Sequence, residues 1–188
     1  MSFDEIIGQW NYGSLPPNII IGRDCFLERK EIFNRFRSIR QPGLILGDGV
    51  SVYTWTTFNV DPEGLLEIGD HSVVVGAVFM CAEHIRIGRR VVISHNVTLA
   101  DSDFHPRDPD DRIADAIANA PENRGARRPR IVTRPITVDD DVWIGIGAII
   151  LKGVHIGAGA RIEPGAIVTR SIPAGCIASG NPAAVRTE

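Results

Sequence analysis

Three cysteines in 188 residues, at positions 25, 81 and 176, are too few and too scattered for a disulfide framework or a zinc cluster. Neither charge dominates. Twenty Lys and Arg stand against 23 Asp and Glu, a formal charge of −3, which argues against nucleic acid as the main partner. No apolar run approaches the roughly 18 residues needed to cross a membrane. Residues 1–18 have neither a basic start nor a long apolar stretch, so no secretory signal is expected there and a cytoplasmic setting is. Aromatics are only 6% of the chain. What is abundant instead is glycine (19), proline (12) and small aliphatic residues. Frequent turn signals between short aliphatic stretches predict many short strands around a narrow interior, and direct attention to repeats.

The repeat is six residues long. Stepping by six from Val138 meets Ile144, Ile150, Ile156, Ile162 and Val168. Four residues after each of these six lie Val142, Ala148, Val154, Ala160, Ala166 and Ile172, all small or aliphatic. Shorter blocks carry the same period: Ile21, Leu27, Phe33; Leu46, Val52, Phe58; Ile68, Val74, Met80; Ile87, Ile93, Leu99. A helix would repeat at about 3.6 residues and a strand at 2. Hexads in which Gly or Asp follows the aliphatic residue, as at Gly69, Gly88, Asp139, Gly145 and Gly157, indicate short strands broken by tight bends, the pattern of a parallel β-helix. Three hexads per coil make a triangular prism with aliphatic residues stacked inside. The expected fold is therefore all-β, with about six coils starting at residues 21, 46, 68, 87, 138 and 156 and a partial turn near Ala174. Residues 1–20 read as an extension, 21–180 as the prism and 181–188 as a tail.

The steps are interrupted between Leu99 and Val138. About 33 extra residues, Pro- and charge-rich, make a protruding loop over 101–134, the kind of insertion that often carries function. Within it DRIADAIA (111–118) has an i, i+4 apolar pair, Ile113 and Ile117, and predicts a short helix. Residues 28–37 also have a helix-like spacing (Ile32, Phe36, Ile39), which weakens the expectation of a regular first coil.

Three segments give a more specific pattern: ISHNVTLA (93–100) leading to Phe104-His105-Pro106, DVWIG (141–145), and Val168-Thr169-Arg170 followed by SGNPA (179–183). With the hexads across most of 21–180, the chain resembles the hexapeptide-repeat acyltransferases, in the branch of the maltose and galactoside O-acetyltransferases. The resemblance implies a left-handed coil, against the general right-handed crossover rule. It implies transfer of an acyl group, most simply acetyl from acetyl-coenzyme A, to a hydroxyl of a sugar or sugar-containing small molecule. It also implies a homotrimer with each site between two prisms.

On that pattern His105 is the catalytic candidate: a neutral imidazole within about 3 Å of an alcohol can take its proton during attack on a thioester. A carboxylate would hold the tautomer and steady the imidazolium. Asp103 and Asp101 are the nearest in sequence, and Asp103 is the expected partner. The resemblance assigns coenzyme contacts to Gly145, Ile146, Pro164, Gly165, Thr169 and Arg170, with Arg186 a further phosphate candidate and Trp143 either covering the groove or capping a prism edge. Ala184 stands where a basic residue is common, leaving Lys152 or Arg161 to compensate. The Asn that sugar enzymes carry is missing around Gly76; Tyr53 and Trp55 offer sugar-stacking surfaces or subunit contacts. His84 and His95 either help line the acceptor cleft or are structural, and His71 and His155 read as solvated coil residues. Cys81 and Cys176 read as coil filling, with no activating partner for a covalent mechanism, so direct transfer is expected. Two other classes compete. A γ-type carbonic anhydrase needs a histidine pair five residues apart, and His95 is followed at that spacing by Ala100, so no metal site is expected. A noncatalytic β-helix scaffold would keep the coils and bind no coenzyme A.

Overall fold

A computed structural model of the chain describes residues 15–123 and 125–187. The chain winds as a left-handed parallel β-helix with three flat faces. The first face stacks Ile19–Ile21, Leu44–Leu46, Leu65–Ile68, His84–Ile87, Ile136–Val138 and His155–Ile156. The second stacks Phe26–Leu27, Ser51–Tyr53, Val73–Val75, Val92–Ile93, Trp143–Ile144, Arg161–Ile162 and Ile177–Ser179. The third stacks Thr57–Val60, Val78–Cys81, Thr98–Ala100, Ile149–Leu151 and Ile167–Val168. We call the bends after these faces the first, second and third corners.

The hexad residues are the inward rungs. On the first face Leu46, Ile68, Ile87, Val138 and Ile156 lie in register; on the second, Leu27, Val52, Val74, Ile93, Ile144 and Ile162 do. All are buried. Burying each such side chain stabilises the prism by roughly 1.5–3 kcal/mol. One rung departs from the period. Phe79, not Met80, points inward and pairs with Phe58 and Leu99, because the second corner of that coil is one residue shorter at Gly76. Rings do fit at this end: Phe33, Phe58 and Phe79 form a stack with centroid separations of 5.7 and 5.6 Å.

The first coil also departs from three regular hexads. Its third side is a 3-10 turn, Lys30–Phe33, with Ile32 buried; in place of a strand ladder an isolated Phe36–Val60 bridge and the N–H groups of Arg37 and Ile39 tie it to the next coil. Residues 1–14 of the expected extension lie outside the described residues, and the first strand begins at Ile19, inside its expected limit. At the other end, Ala184–Arg186 of the expected tail turns back as an antiparallel strand on Ile177–Ser179 and covers that sheet edge.

The first corner places non-glycine residues at positive φ: His71 (58°), Arg90 (56°) and Asp141 (62°). That conformation costs about 1–2 kcal/mol per residue. Each donates its N–H to a carbonyl of the preceding coil's corner, which offsets the cost. Aspartates brace the same corners: Asp48, Asp70 and Asp140 accept the N–H of Arg23, Asp48 and Arg89 at 2.8–2.9 Å.

The loop leaves from the third corner. Asp101 anchors it there, fully buried, its carboxylate accepting the N–H groups of Ala82, Glu83 and His84 (2.7–2.9 Å). Burial pushes this carboxyl up despite those three bonds. Asp103 and Arg134 then close a two-stranded stem with Val132 and Asp101. A helix, α1 (Pro109–Ala118), begins two residues before the expected start because Asp108 caps the N–H groups of Asp110 and Asp111 and Pro109 suits the first turn. Its apolar pair faces outward, with Ile113 62% and Ile117 59% exposed; the residue it buries is Asp115. No helix among the described residues is long and apolar enough to cross a membrane.

Candidate active site

The loop folds back on itself so that α1 supplies the carboxylate for His105. Nδ1 of His105 lies 2.7 Å from Oδ2 of Asp115. Asp115 is 1% exposed, whereas the His105 side chain is 64% exposed. Arg128, on the returning leg, donates Nε to Asp115 Oδ1 (2.6 Å) and Nη2 to Oδ2 (3.1 Å), and Asn119 donates to Oδ1 (3.1 Å). Hydrogen bonding from Arg128, against the opposing pull of burial, holds the Asp115 carboxyl below the usual carboxylate range. An ionised carboxylate only accepts, so the neutral ring donates from Nδ1 and carries its lone pair on Nε2. Phe104, just before the histidine, sits at φ 66°, a strained conformation for an aromatic residue. Two bonds hold that turn: His105 N–H to the Asp103 carbonyl (2.7 Å) and Arg128 Nη2 to the Phe104 carbonyl (2.9 Å).

Asp103, the expected partner of His105, is committed elsewhere. It pairs with Lys152 of the prism and, at 3.0 Å, with Arg107. Lys152, above all, holds its carboxyl below the ordinary range. Asp101 is spent on backbone N–H groups at the corner. The actual partner lies ten residues beyond His105. Its only local signal is an aspartate between the two isoleucines of a short helix, which reads as a solvated position until the helix is docked.

Two clefts flank this arrangement. One, of about 220 Å³, is lined by Phe104, Arg128, Pro129 and Ile131 of the loop and by Arg37, Asn59 and Asp61 of the first coils. The other, of about 570 Å³, is lined by Arg107, Val132 and Arg134 of the loop with Leu151, Lys152 and Thr169 of the prism.

The residues expected to hold coenzyme A fall into separate groups. Trp143, half-buried on the second face, leads to Gly145 and Ile146 at the second corner, where Gly165 donates its N–H to the Ile146 carbonyl (2.8 Å) and Pro164 lies against Gly145. Gly145 is required there, since a Cβ would stand 2.7 Å from the Pro164 nitrogen. Thr169 and Arg170, both exposed, follow strand Ile167–Val168 and sit at its opposite end, by the third corner. Arg186 is exposed on the antiparallel strand. One chain therefore does not bring all of these residues to one point.

The remaining candidates have structural surroundings. Cys81 is buried, its thiol pushed far up by burial, and Cys176 is 8% exposed. His84 pairs with Glu67 (2.9 Å) and His155 with Asp139 (2.8 Å), while His71 and His95 are exposed at corners. Tyr53 and Trp55 are exposed at the second corner, Trp55 80% so, away from the Phe104 cleft. Among the described residues no three His, Cys, Asp or Glu side chains gather as a metal-binding set.

The family described as bacterial transferase hexapeptide (six repeats) matches residues 135–170. A Dictyostelium discoideum protein named as an acetyltransferase is 34% identical over 163 residues, 86% of this chain and 74% of that protein. A mutant of an N-acyltransferase from Bacillus cereus, solved with dTDP-4-amino-4,6-dideoxyglucose and coenzyme A, superposes with a TM-score of 0.65 at 18% identity, covering 89% of this chain and 81% of the other. A maltose O-acetyltransferase from Clostridium difficile superposes at 0.52 with 23% identity, covering 94% and 69%. The two solved structures share the coiled fold.

Proposed function

Because the chain belongs to the hexapeptide-repeat transferase family, we propose that it moves an acetyl group from acetyl-coenzyme A to a hydroxyl of a carbohydrate or sugar-containing acceptor, by direct transfer with His105 as general base. The observation that carries this reading is the exposed imidazole held at 2.7 Å by a buried, arginine-bound carboxylate.

The chemistry follows from that pair. Nε2 of His105 takes the hydroxyl proton as the acceptor oxygen bonds to the acyl carbon. Asp115 stabilises the imidazolium that forms. As the carbon–sulfur bond breaks, the same proton returns to the departing thiolate, leaving an acetyl ester and free coenzyme A. General-base assistance of this kind contributes about 10²–10⁴-fold. Cys81 takes no part: a buried thiol with its pKa raised is a poor nucleophile.

The donor contacts suggest assembly. Gly145, Ile146, Pro164 and Gly165 precede the third face, whereas Thr169 and Arg170 follow it, with Thr169 lining one cleft with Lys152 and Arg134. We place the coenzyme in the seam between two copies, one offering its second corner and the other its third, in a homotrimer. Exposed Trp55, Ile146, Ile113 and Ile117 supply apolar surface for such contacts. A cytoplasmic setting accords with three free cysteines.

The test is His105→Ala, with the coil checked by circular dichroism and acetyl transfer followed by thiol release and mass spectrometry against a sugar panel. A loss of about 10²–10⁴-fold is expected. Turnover near that of the unaltered protein would remove His105 from the reaction. Sedimentation at working concentration tests the trimer.

A further inference from the structure

The smaller cleft is one residue from His105 and shares Arg128 with its carboxylate. Its hydrogen-bonding capacity is lopsided. Arg37 uses only Nη2, donating to Asp61 Oδ1 (2.5 Å) and more weakly to Asn59 Oδ1 (3.5 Å). Arg128 uses Nε and Nη2. A guanidinium has five N–H donors in a fixed fork. Among the described residues Nε and Nη1 of Arg37 and Nη1 of Arg128 have no hydrogen-bond partner. The amide nitrogen of Asn59 is likewise unused. On the acceptor side the cleft offers the second oxygen of Asp61, the weakly engaged amide oxygen of Asn59 and the Ser102 hydroxyl, which donates as well as accepts.

The donor surplus comes as guanidinium edges, which match the planar or trigonal spread of oxyanion lone pairs better than a single hydroxyl. The spare Asp61 oxygen suits one hydroxyl. Phe104, 37% exposed, offers an apolar surface to a ring. About 220 Å³ is below the roughly 300–1,000 Å³ of pockets that enclose drug-sized ligands, and fits a single ring-sized group.

From this juxtaposition we infer that the acceptor is an acidic sugar: a hydroxylated ring bearing a carboxylate or phosphate, its oxyanion held between Arg37 and Arg128 beside Phe104. The inference rests on the acyltransferase reading and narrows its substrate class. Arg128 then has two duties. It holds Asp115 for His105 and meets the acceptor, so the substrate is sensed at the group that orients the base. Arg37, brought over by the 3-10 turn of the first coil, selects the acceptor without touching the relay.

The experiment uses matched triads, each a neutral hexose, its uronate and its 6-phosphate, with acetyl-coenzyme A. Initial rates are compared for the unaltered protein, Arg37→Gln and Arg37→Lys, and binding of the same sugars is followed by saturation-transfer NMR. One acidic member of a triad is expected to exceed its neutral partner in kcat/KM by about tenfold or more. Arg37→Gln is expected to lower that ratio by about tenfold, through KM, with partial recovery in Arg37→Lys. The uronate and phosphate arms tell which oxyanion is held. Preference for the neutral sugar, a ratio unmoved by Arg37→Gln, or no binding of any acidic sugar would overturn the inference. Arg37-dependent binding of an acidic sugar without transfer would support the cleft and overturn the acyltransferase reading alone.

Discussion

Replacing Asp115 by Asn tests the site at its least sequence-legible point. The change is nearly isosteric, but the amide has one acceptor oxygen, where the carboxylate has two and serves His105, Arg128 and Asn119. Two losses are expected. The imidazolium loses a charge-assisted hydrogen bond of about 1.5–3 kcal/mol, which at 1.36 kcal/mol per decade slows the step by roughly 10–150-fold. The amide can also donate to Nδ1, which favours the wrong tautomer and pushes the loss toward the upper part of the 10²–10⁴ range for base catalysis. Arg128 is left with a neutral partner; because it is about one-third exposed, the cost to stability is expected near 1–2 kcal/mol rather than the larger cost of breaking a fully buried pair. The assay is kcat for thiol release with acetyl-coenzyme A, run beside Asp103→Asn and the double variant His105→Ala, Asp115→Asn. Asp115→Asn should lower kcat at least tenfold, Asp103→Asn should lower it less, and the double variant should match His105→Ala, because the two groups act as one unit. A kcat within threefold of the unaltered protein, or a larger loss from Asp103→Asn, would refute the pairing.

Four other outcomes are expected. Gly76→Ala should cost about 1–2 kcal/mol by urea denaturation, since φ is 59° and a Cβ would lie 2.8 Å from His95 Nδ1. Gly88→Ala should cost more, because its Cβ would meet the Asp139 carbonyl carbon at 2.6 Å in backbone that cannot yield. Asp103 and Asp115 both have depressed carboxyl pKa values, so their stabilisation of the loop is complete above the unfolded value near 4 and is lost as pH falls through the lower native values. Protection of 101–134 against hydrogen exchange, taken relative to the unstructured rate at each pH, should thus fall as pH drops below about 4, and unchanged protection would count against that role for the two carboxylates. Cys81→Ala should keep transfer activity and intersecting double-reciprocal lines; parallel lines would point to an acyl-cysteine instead.

Much of the prism is legible along the chain because each coil repeats a local rule. A residue at the hexad position is inward whatever lies elsewhere, so Val138 and Ile156, Ile144 and Ile162, and Ile150 and Val168 can be paired across neighbouring coils from their three-hexad spacing alone. The rule fails where a corner changes length, as at Gly76, which shifts the inward residue from Met80 to Phe79. It fails again where local propensity competes, as in the 3-10 turn at Lys30–Phe33. The loop has no such period, so the partner of His105 cannot be found by proximity along the chain: Asp103 is two residues away and faces Lys152, while Asp115 is ten away and faces the ring.

The aliphatic period alone thus determined a coiled prism with an insertion after the fourth coil, since stacking identical short strands is the way such a pattern leaves water. Tertiary structure decided which groups meet across the loop: the docking of α1 turned a polar helix residue inward, and the returning Arg128 made burial of that charge tolerable. It also decided that the expected coenzyme residues stand at opposite ends of one face, a separation set by the span of a strand and invisible in six-residue steps.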